Sequence, residues 1–286
     1  MISINSSKKI GIIGLGLIGG SLALDLKRLG HKIFGVTKDE ISAEKARKRQ
    51  LAQVISADLK IIKDCSIVII ALPLEMLLNP SEELISSLPP EAVITDVGSV
   101  KVKVLEKWNK IHPLFVGSHP MAGNNDNGID AGQNELFKSK YWISTPDQLT
   151  NSRALNTIQS LAESIGSKWI TSDPKSHDQT VALISHLPIY VSSSLIDSVI
   201  KSSSESILSL SKKLASSGFL DTSRVGGGNT DLGISIAKYN KKEILLAIKS
   251  FKESMTRMES LIQEGNWSDL TKLLIDSKEG RKAFEK

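Results

Sequence analysis

The chain has one cysteine, Cys65, in 286 residues. No internal disulfide can form, so the fold rests on its apolar core. Cys65 stands just before an apolar run, which predicts a buried position at the start of a strand. Aromatic residues are scarce at 5%. Neither sign of charge dominates: 36 Lys and Arg against 31 Asp and Glu leave +5. No compact basic motif appears. The short basic run at 45–49 reads as the solvated face of a helix, so no nucleic-acid partner is expected. A mild positive balance does suit a small anionic substrate or cofactor. The longest apolar runs, such as residues 66–72, fall far short of the ~20 residues a membrane span requires. Residues 1–9 lack the apolar centre of a signal peptide. These absences predict a cytoplasmic protein with no membrane partner. The five histidines are His31, His112, His119, His177 and His186. None pair at zinc-ligand spacing and one cysteine cannot complete a site, so no metal is expected.

What is present is an ordinary globular composition, 40% hydrophobic and 23% charged, on a chain long enough for one large or two modest domains. The first half alternates short β-rich apolar runs with helical patterns. Strands are predicted at 10–13, 32–36, 54–55, 66–72, 92–97, 114–118 and 141–144. Helices are predicted at 21–29 and 41–49. Strands alternating with helices imply an α/β domain with a mostly parallel sheet covered on both faces. After residues 169–170 the β signal fades. Ser172, Asp173 and Pro174 form a helix start, with a capping side chain followed by proline in the first turn. The serine-rich stretch 192–217 keeps apolar residues at helical spacing and is read as helix, not linker. Long helices are predicted at 231–262 and 267–284. The chain therefore divides into an α/β domain, 1–171, and an all-helical domain, 172–286. No internal repeat is seen.

Gly14-Leu15-Gly16-Leu17-Ile18-Gly19 is a G-x-G-x-x-G between a strand and a helix, the setting in which this motif is informative. Gly14 permits the tight turn, Gly16 lets the backbone approach a pyrophosphate, and Gly19 lets the helix pack on the strand. The N–H groups of Leu17 and Ile18 at the helix start would face the phosphates. A glycine-rich turn that binds nothing is the bland alternative. At the end of the second strand an NAD site usually places a carboxylate for the ribose. Here the first polar residues are Thr37 and Lys38, which suit a 2′-phosphate, and NADP is the predicted cofactor. Asp39 comes slightly late but could turn inward, and Lys38 could equally be a solvated loop residue.

His31 and His112 read as exposed turn residues. His119 lies in Gly117-Ser118-His119-Pro120-Met121-Ala122-Gly123, just past the carboxyl end of a predicted strand, where open α/β sheets bind ligands. The segment Asp96-Val97-Gly98-Ser99-Val100-Lys101 ends the preceding strand in the same way. Ser99, Lys101 and His119 are therefore expected to converge near a nicotinamide. A loop histidine bonded to a backbone carbonyl is the competing reading of His119. His177, with Asp178, reads as a helix-terminus interaction. His186 and Ser185 sit on the first long helix of the second domain, which Pro188 should kink.

Five segments occur in order: Gly14–Ala23, Asp96–Lys101, Ser118–Gly123, Ser185–Pro188 and Ser217–Arg224. Together they resemble the prephenate/arogenate dehydrogenase family of tyrosine biosynthesis, and they span most of the chain. The resemblance implies a Rossmann-type dinucleotide-binding domain followed by an all-helical dimerisation domain, and a homodimer formed through the helices. It implies oxidation of a cyclohexadienol ring with loss of its carboxylate as carbon dioxide. His119 would be the base that takes the ring hydroxyl proton, and a neutral imidazole suits this near physiological pH. Ser99 would hold the hydroxyl or the imidazole. Arg224 would clamp a substrate carboxylate through two parallel bonds; a structural ion pair is its alternative. Ser185, Lys101 and Asn124 would lie near the substrate, and His186 behind it.

Two departures bear on specificity. Prephenate-using relatives often carry a second histidine after His-Leu-Pro; here the residue is Ile189, which resembles arogenate-preferring members. After Gly123 the family commonly has Thr, and here it is Asn124. The stretch Arg224–Asn229 also resembles arogenate-type members. The expected substrate is therefore arogenate, with NADP, and prephenate with NAD or NADP is the alternative. The chain ends soon after its last helix, so no separate ligand-sensing domain is expected. A β-hydroxyacid dehydrogenase of the same architecture is a rival, but no lysine here has an asparagine four residues on. A pyrroline-5-carboxylate reductase would leave Ser118–Gly123 unexplained. An NADPH-sensing regulatory protein would not need His119 with Ser99.

Overall fold

Short runs of β-branched residues in the first half become strands because each has two faces to bury. In the computed structural model, which describes residues 7–124, 126–202 and 204–285, six of them form one sheet. They are β1 (Lys9–Ile13), β2 (Lys32–Val36), β3 (Val54–Ser56), β4 (Ile67–Ile70), β5 (Val93–Asp96) and β6 (Phe115–Val116). Their order is β3-β2-β1-β4-β5-β6, with every pair parallel. Ile10, Ile12, Ile67 and Ile69 point to one buried face. Ile13, Val68, Ile70 and Ile94 point to the other. A sheet covered on both sides needs continuous apolar strands, which is what the sequence supplies. The order reverses between β1 and β4, opening the crevice at which doubly wound sheets take dinucleotides.

The predicted strand at 114–118 is divided. Its first part is β6. Its second part, β7 (Ser118–Pro120), leaves for a three-stranded sheet with β8 (Tyr141–Ser144) and β9 (Lys168–Thr171) in the order β7-β8-β9. Gly117 lies at the switch, where a Cβ would come within 3.1 Å of the Leu105 and Thr145 side chains. Side chains replace ladder bonds there. The Ser118 N–H donates to Asp96 Oδ1 at 3.1 Å, and the Ser118 hydroxyl lies 2.8 Å from that of Thr95.

Helix α1 (Leu17–Arg28) follows β1, and α2 (Glu40–Lys48) follows β2. The basic run at 45–49 lies along α2, with Lys45, Arg47 and Lys48 exposed. Arg49, just beyond, is half-buried and its guanidinium donates to the carbonyls of Ile129 and Gly132. The same stretch is bound to α1. The Gln133 N–H donates to the Ser21 hydroxyl and the Glu135 N–H to Asp25 Oδ1, both at 2.9 Å. A Cβ on Gly132 would stand 3.0 Å from the Gly20 carbonyl carbon, so the two backbones touch.

Asp173 caps the next helix, accepting from the Ser176 N–H at 2.9 Å, with Pro174 in the first turn. That helix runs as Pro174–Val181, widens into a π turn over Ala182–His186, and continues as Leu187–Ser202. The kink expected at Pro188 takes the form of this π turn, because proline has no N–H for the carbonyl four residues back. By length and composition the run Pro174–Lys201 would suffice to cross a membrane, with a mean hydropathy of 1.3 over its most apolar window and 11% of that window buried. Sequence reading missed this because serines separate the apolar residues. Glu205–Leu214 follows as a further helix.

The single helix predicted at 231–262 is two, Thr230–Tyr239 and Lys241–Gln263. The break is Asn240, whose buried amide donates to the Asp178 carbonyl at 2.9 Å. The chain separates into compact units at the same point, Met1–Asn240 and Lys241–Lys286. The change from strands to helices at Thr171 falls inside the first unit. The second contains Lys241–Gln263 and Trp267–Lys282, the latter capped by Asn266.

Candidate active site

At the end of β1, Gly14 has φ +93°, and a Cβ there would lie 2.3 Å from the Ala71 carbonyl oxygen. A Cβ on Gly19 would lie 1.9 Å from the Gly14 carbonyl oxygen. Both glycines are therefore required by packing. Gly16 differs: nothing lies within 4 Å of its Cβ position, so its backbone borders open space. Helix α1 starts next, without a side-chain cap or an acidic residue in its first turn. The N–H groups of Leu17, Ile18 and Gly19 have no intrahelical partner and face no competing carboxylate. The cradle fits a pyrophosphate.

At the end of β2, the buried Thr37 hydroxyl donates to the Asp39 carbonyl at 3.0 Å. Asp39 does not turn inward. It caps α2, accepting from the Ser42 N–H at 2.7 Å, and Ser42 holds its carboxyl below the usual range. Lys38 is exposed, its ammonium 3.8 Å from Asp39.

Past β5, Asp96 is buried and bonds the N–H groups of Gly98 and Ser118. It also accepts from the Lys101 ammonium, which donates in addition to the Ser118 carbonyl at 2.8 Å. This corrects the reading of Lys101 as a substrate ligand. Its side chain is fully buried, and it balances Asp96 beneath the turn that carries Ser99. Ser99 itself is half-buried.

His119 sits on β7, opposite Ile143. Its Nδ1 is 3.0 Å from His177 Nε2, and the rings meet edge to face with centroids 5.2 Å apart. His177 Nδ1 is 2.7 Å from Asp178 Oδ1. Asp178 Oδ1 accepts from the Lys101 N–H at 2.7 Å, and Oδ2 accepts from the Val102 N–H at 3.0 Å. Burial, then the positive fields of His177, Lys101 and His186, hold the His119 pKa well below the ordinary histidine value. Burial also lowers His177, with Asp178 acting against it. The geometry thus joins His119 to a His–Asp pair that sequence reading assigned to a helix terminus. An adjacent His and Asp one turn into a helix was the only signal, and nothing in it pointed 58 residues back.

His186 is fully buried on the π turn. Its Nδ1 is 3.3 Å from the Asn240 amide, its Nε2 has no hydrogen-bond partner among the described residues, and burial lowers its pKa to about 4. Ser185, beside it, is half-buried. His31 and His112 are not exposed as expected. Both are buried, and their Nδ1 atoms accept from the N–H groups of Lys8 and Leu114.

Asn124 is exposed, its side-chain oxygen accepting from the Asp126 N–H at 2.8 Å. Arg224 is exposed in a short 3₁₀ turn, Arg224–Gly227, and forms no ion pair or side-chain hydrogen bond among the described residues. Its turn packs on the helix Leu187–Ser202, where a Cβ on Gly226 would stand 2.8 Å from Ser192. No hydrogen bond joins Arg224 to His119, Ser99 or Ser185 among the described residues.

Two family models match the chain. "Prephenate dehydrogenase, nucleotide-binding domain" covers residues 22–171, and "Prephenate dehydrogenase, dimerization domain" covers residues 173–276. The chain belongs to the prephenate dehydrogenase family. A Bacillus subtilis prephenate dehydrogenase is 33% identical over 280 residues, 94% of this chain and 74% of the relative. Among solved structures, Synechocystis arogenate dehydrogenase is 39% identical, covers 97% of this chain and 100% of that one, and superposes with a TM-score of 0.84. An Aquifex aeolicus prephenate dehydrogenase in complex with hydroxyphenyl propionate and NAD+ is 27% identical, covers 99% and 100%, and has a TM-score of 0.92. Membership makes the chain a dehydrogenase of the prephenate/arogenate group with a nucleotide-binding domain, which implies a nicotinamide cofactor.

Proposed function

We propose that the chain oxidises and decarboxylates arogenate to tyrosine with NADP, using His119 as the base. The observation that carries this reading is the place of His119, half-buried beyond the carboxyl edge of a sheet whose first turn fits a pyrophosphate, with its pKa held well below the ordinary value by burial. Gly14, Gly16 and Gly19, with the N–H groups of Leu17 and Ile18, would hold the pyrophosphate. Thr37 and Lys38 would face the 2′-phosphate. The nicotinamide, when bound, would supply the acceptor for a hydride from the ring carbon that bears the hydroxyl. His119 takes the hydroxyl proton as that carbon becomes a carbonyl, and Ser99 holds the hydroxyl in line. The ring then loses its carboxylate as carbon dioxide and becomes a phenol, whose oxygen recovers the proton from His119. Aromatisation drives the step, so the residues chiefly position the ring. Among the described residues Arg224 has no ion-pair or side-chain hydrogen-bond partner to give up, and it would suit a substrate carboxylate, with Ser185 and Asn124 beside it.

Ile189 favours arogenate, as does the 39% identity to the Synechocystis enzyme. Prephenate is the second reading, favoured by the names of the Bacillus and Aquifex relatives. The division 1–171 and 172–286 follows the change from strands to helices. A homodimer through the helical part is supported by the family description and by its exposed leucines and isoleucines. A cytoplasmic location fits a biosynthetic enzyme acting on a soluble substrate.

Initial rates with arogenate and prephenate, each with NADP and NAD, test the reading. Arogenate with NADP should be fastest, and equal rates for the two substrates would overturn the argument from Ile189. Replacing Lys38 by Ala should raise the KM for NADP about fivefold and leave that for NAD unchanged, as suits one exposed cation on a phosphate.

A further inference from the structure

We propose that His177 is a positioning residue that fixes the tautomer of His119, placing the proton on Nδ1 and leaving Nε2 as the basic nitrogen. The inference rests on the assignment of His119 as the base, and it follows from counting protons along three contacts. Asp178 accepts the N–H groups of Lys101 and Val102, so its carboxylate is tied down at both oxygens. His177 Nδ1 lies 2.7 Å from the same Oδ1. A nitrogen lone pair at that distance from a carboxylate oxygen would be repelled, so Nδ1 carries the hydrogen and donates it. A neutral imidazole has one N–H, so His177 Nε2 presents a lone pair. That lone pair lies 3.0 Å from His119 Nδ1, and only an N–H on His119 satisfies it. The remaining nitrogen of His119, Nε2, is therefore the one with a free lone pair.

The pair also serves the charged state. When His119 Nε2 takes a proton, the imidazolium keeps its Nδ1–H on the His177 lone pair, and Asp178 stands behind it. This is the orienting logic of a base held by a third group. Protonation of His177 would reverse the contact. It would place a hydrogen between the two rings, displace the His119 proton to Nε2, and remove the base. The groups that face this pair are Lys101, Asp96, Asp178 and His186. Lys101, like burial, opposes that protonation, and the two carboxylates favour it; His186, with a pKa of about 4, is neutral there.

The tautomer is read in the resting protein by ¹⁵N shifts of labelled histidine, without turnover. At neutral pH His119 should show a protonated Nδ1 and a pyridine-like Nε2. A protonated Nε2 in the wild type would overturn the proposal. His177→Phe should lower kcat about 100-fold or more with the KM for cofactor unchanged. It should also convert His119 at least partly to the Nε2–H form. His177→Gln offers an amide oxygen to the His119 N–H and should recover part of kcat. Equal loss in the Gln and Phe variants, or wild-type kcat in the Phe variant, would overturn it. Melting curves separate a folding defect from a positioning one, and the wild-type spectrum decides even if the Phe variant does not fold. A wild type that turns over neither arogenate nor prephenate would count against the proposed function alone.

Discussion

In the parallel sheet, Ile10, Ile12 and Ile69 have no exposed surface. In the helical run, Leu183, Ile184, Ile207 and Leu210 are each more than half exposed. Both sets are apolar residues at regular spacing, and both spacings formed the expected element. The difference lies in what covers them. The sheet has helices on both faces, so one chain completes its core. The helices from Pro174 to Leu214 present apolar stripes that stand exposed, as the proposed dimer requires. The proposed chemistry divides the same way: His119 comes from the strand-built part, held by His177, and Arg224 from the helical part, where it has no side-chain partner among the described residues.

The sharpest way to break the comparison is at the base. His119→Asn should reduce kcat about a thousandfold, about 4 kcal/mol, with cofactor affinity unchanged in a binding titration. Retained turnover would remove the strand-built part from the chemistry. On the helical side, Ile207→Glu with Leu210→Glu should convert a dimer to monomer in sedimentation runs. Covering two such side chains contributes about 4 kcal/mol, and the glutamates bring a charge cost in addition. An unchanged mass would place the dimer elsewhere.

Acid should then separate the parts by stability. All five histidines are held below their ordinary pKa, in each case mainly by burial. For His186 the folded value is about 4, against ~6.5 unfolded. Above ~6.5 both states are neutral there. Between ~6.5 and ~4 the unfolded chain takes up a proton that the folded one refuses, so stability falls as pH drops, by about 3 kcal/mol for this group. Thermal melts at pH 7.5 and 5 should show the loss, and His186→Asn should lessen it. A melting temperature indifferent to this range would mean that His186 is hydrated. A smaller effect is expected at Arg224→Ala, where KM should rise about 30-fold, near 2 kcal/mol, with kcat little changed. An unchanged KM would make this arginine a bystander.

The elements that sequence reading located best were those whose cause is local. β-branched runs bounded by turns became β1, β2, β4 and β5, and the glycine fingerprint became a tight turn whose Cβ clashes explain Gly14 and Gly19. Most of the misses depend on distant partners. Lys101 follows Asp96 by five residues, and only the curl of the intervening turn shows that its ammonium folds back beneath the strand. His177 needed the second sheet to bring His119 to it. Asn240 breaks a helix with neither glycine nor proline present, because its amide is drawn to Asp178. Strand 114–118 carried no mark of its change of sheet beyond Gly117.

The clasp between α1 and residues 129–135 ties a loop to the helix that follows the glycine turn. One end of α1 begins at the proposed phosphate cradle, and its flank holds by backbone and side-chain bonds the segment that begins a few residues after Asn124. With Gly20 against Gly132, no side chain cushions the contact. A side chain added at Gly132 would strike the Gly20 backbone, so this glycine–glycine seam sets how closely the segment can lie against α1.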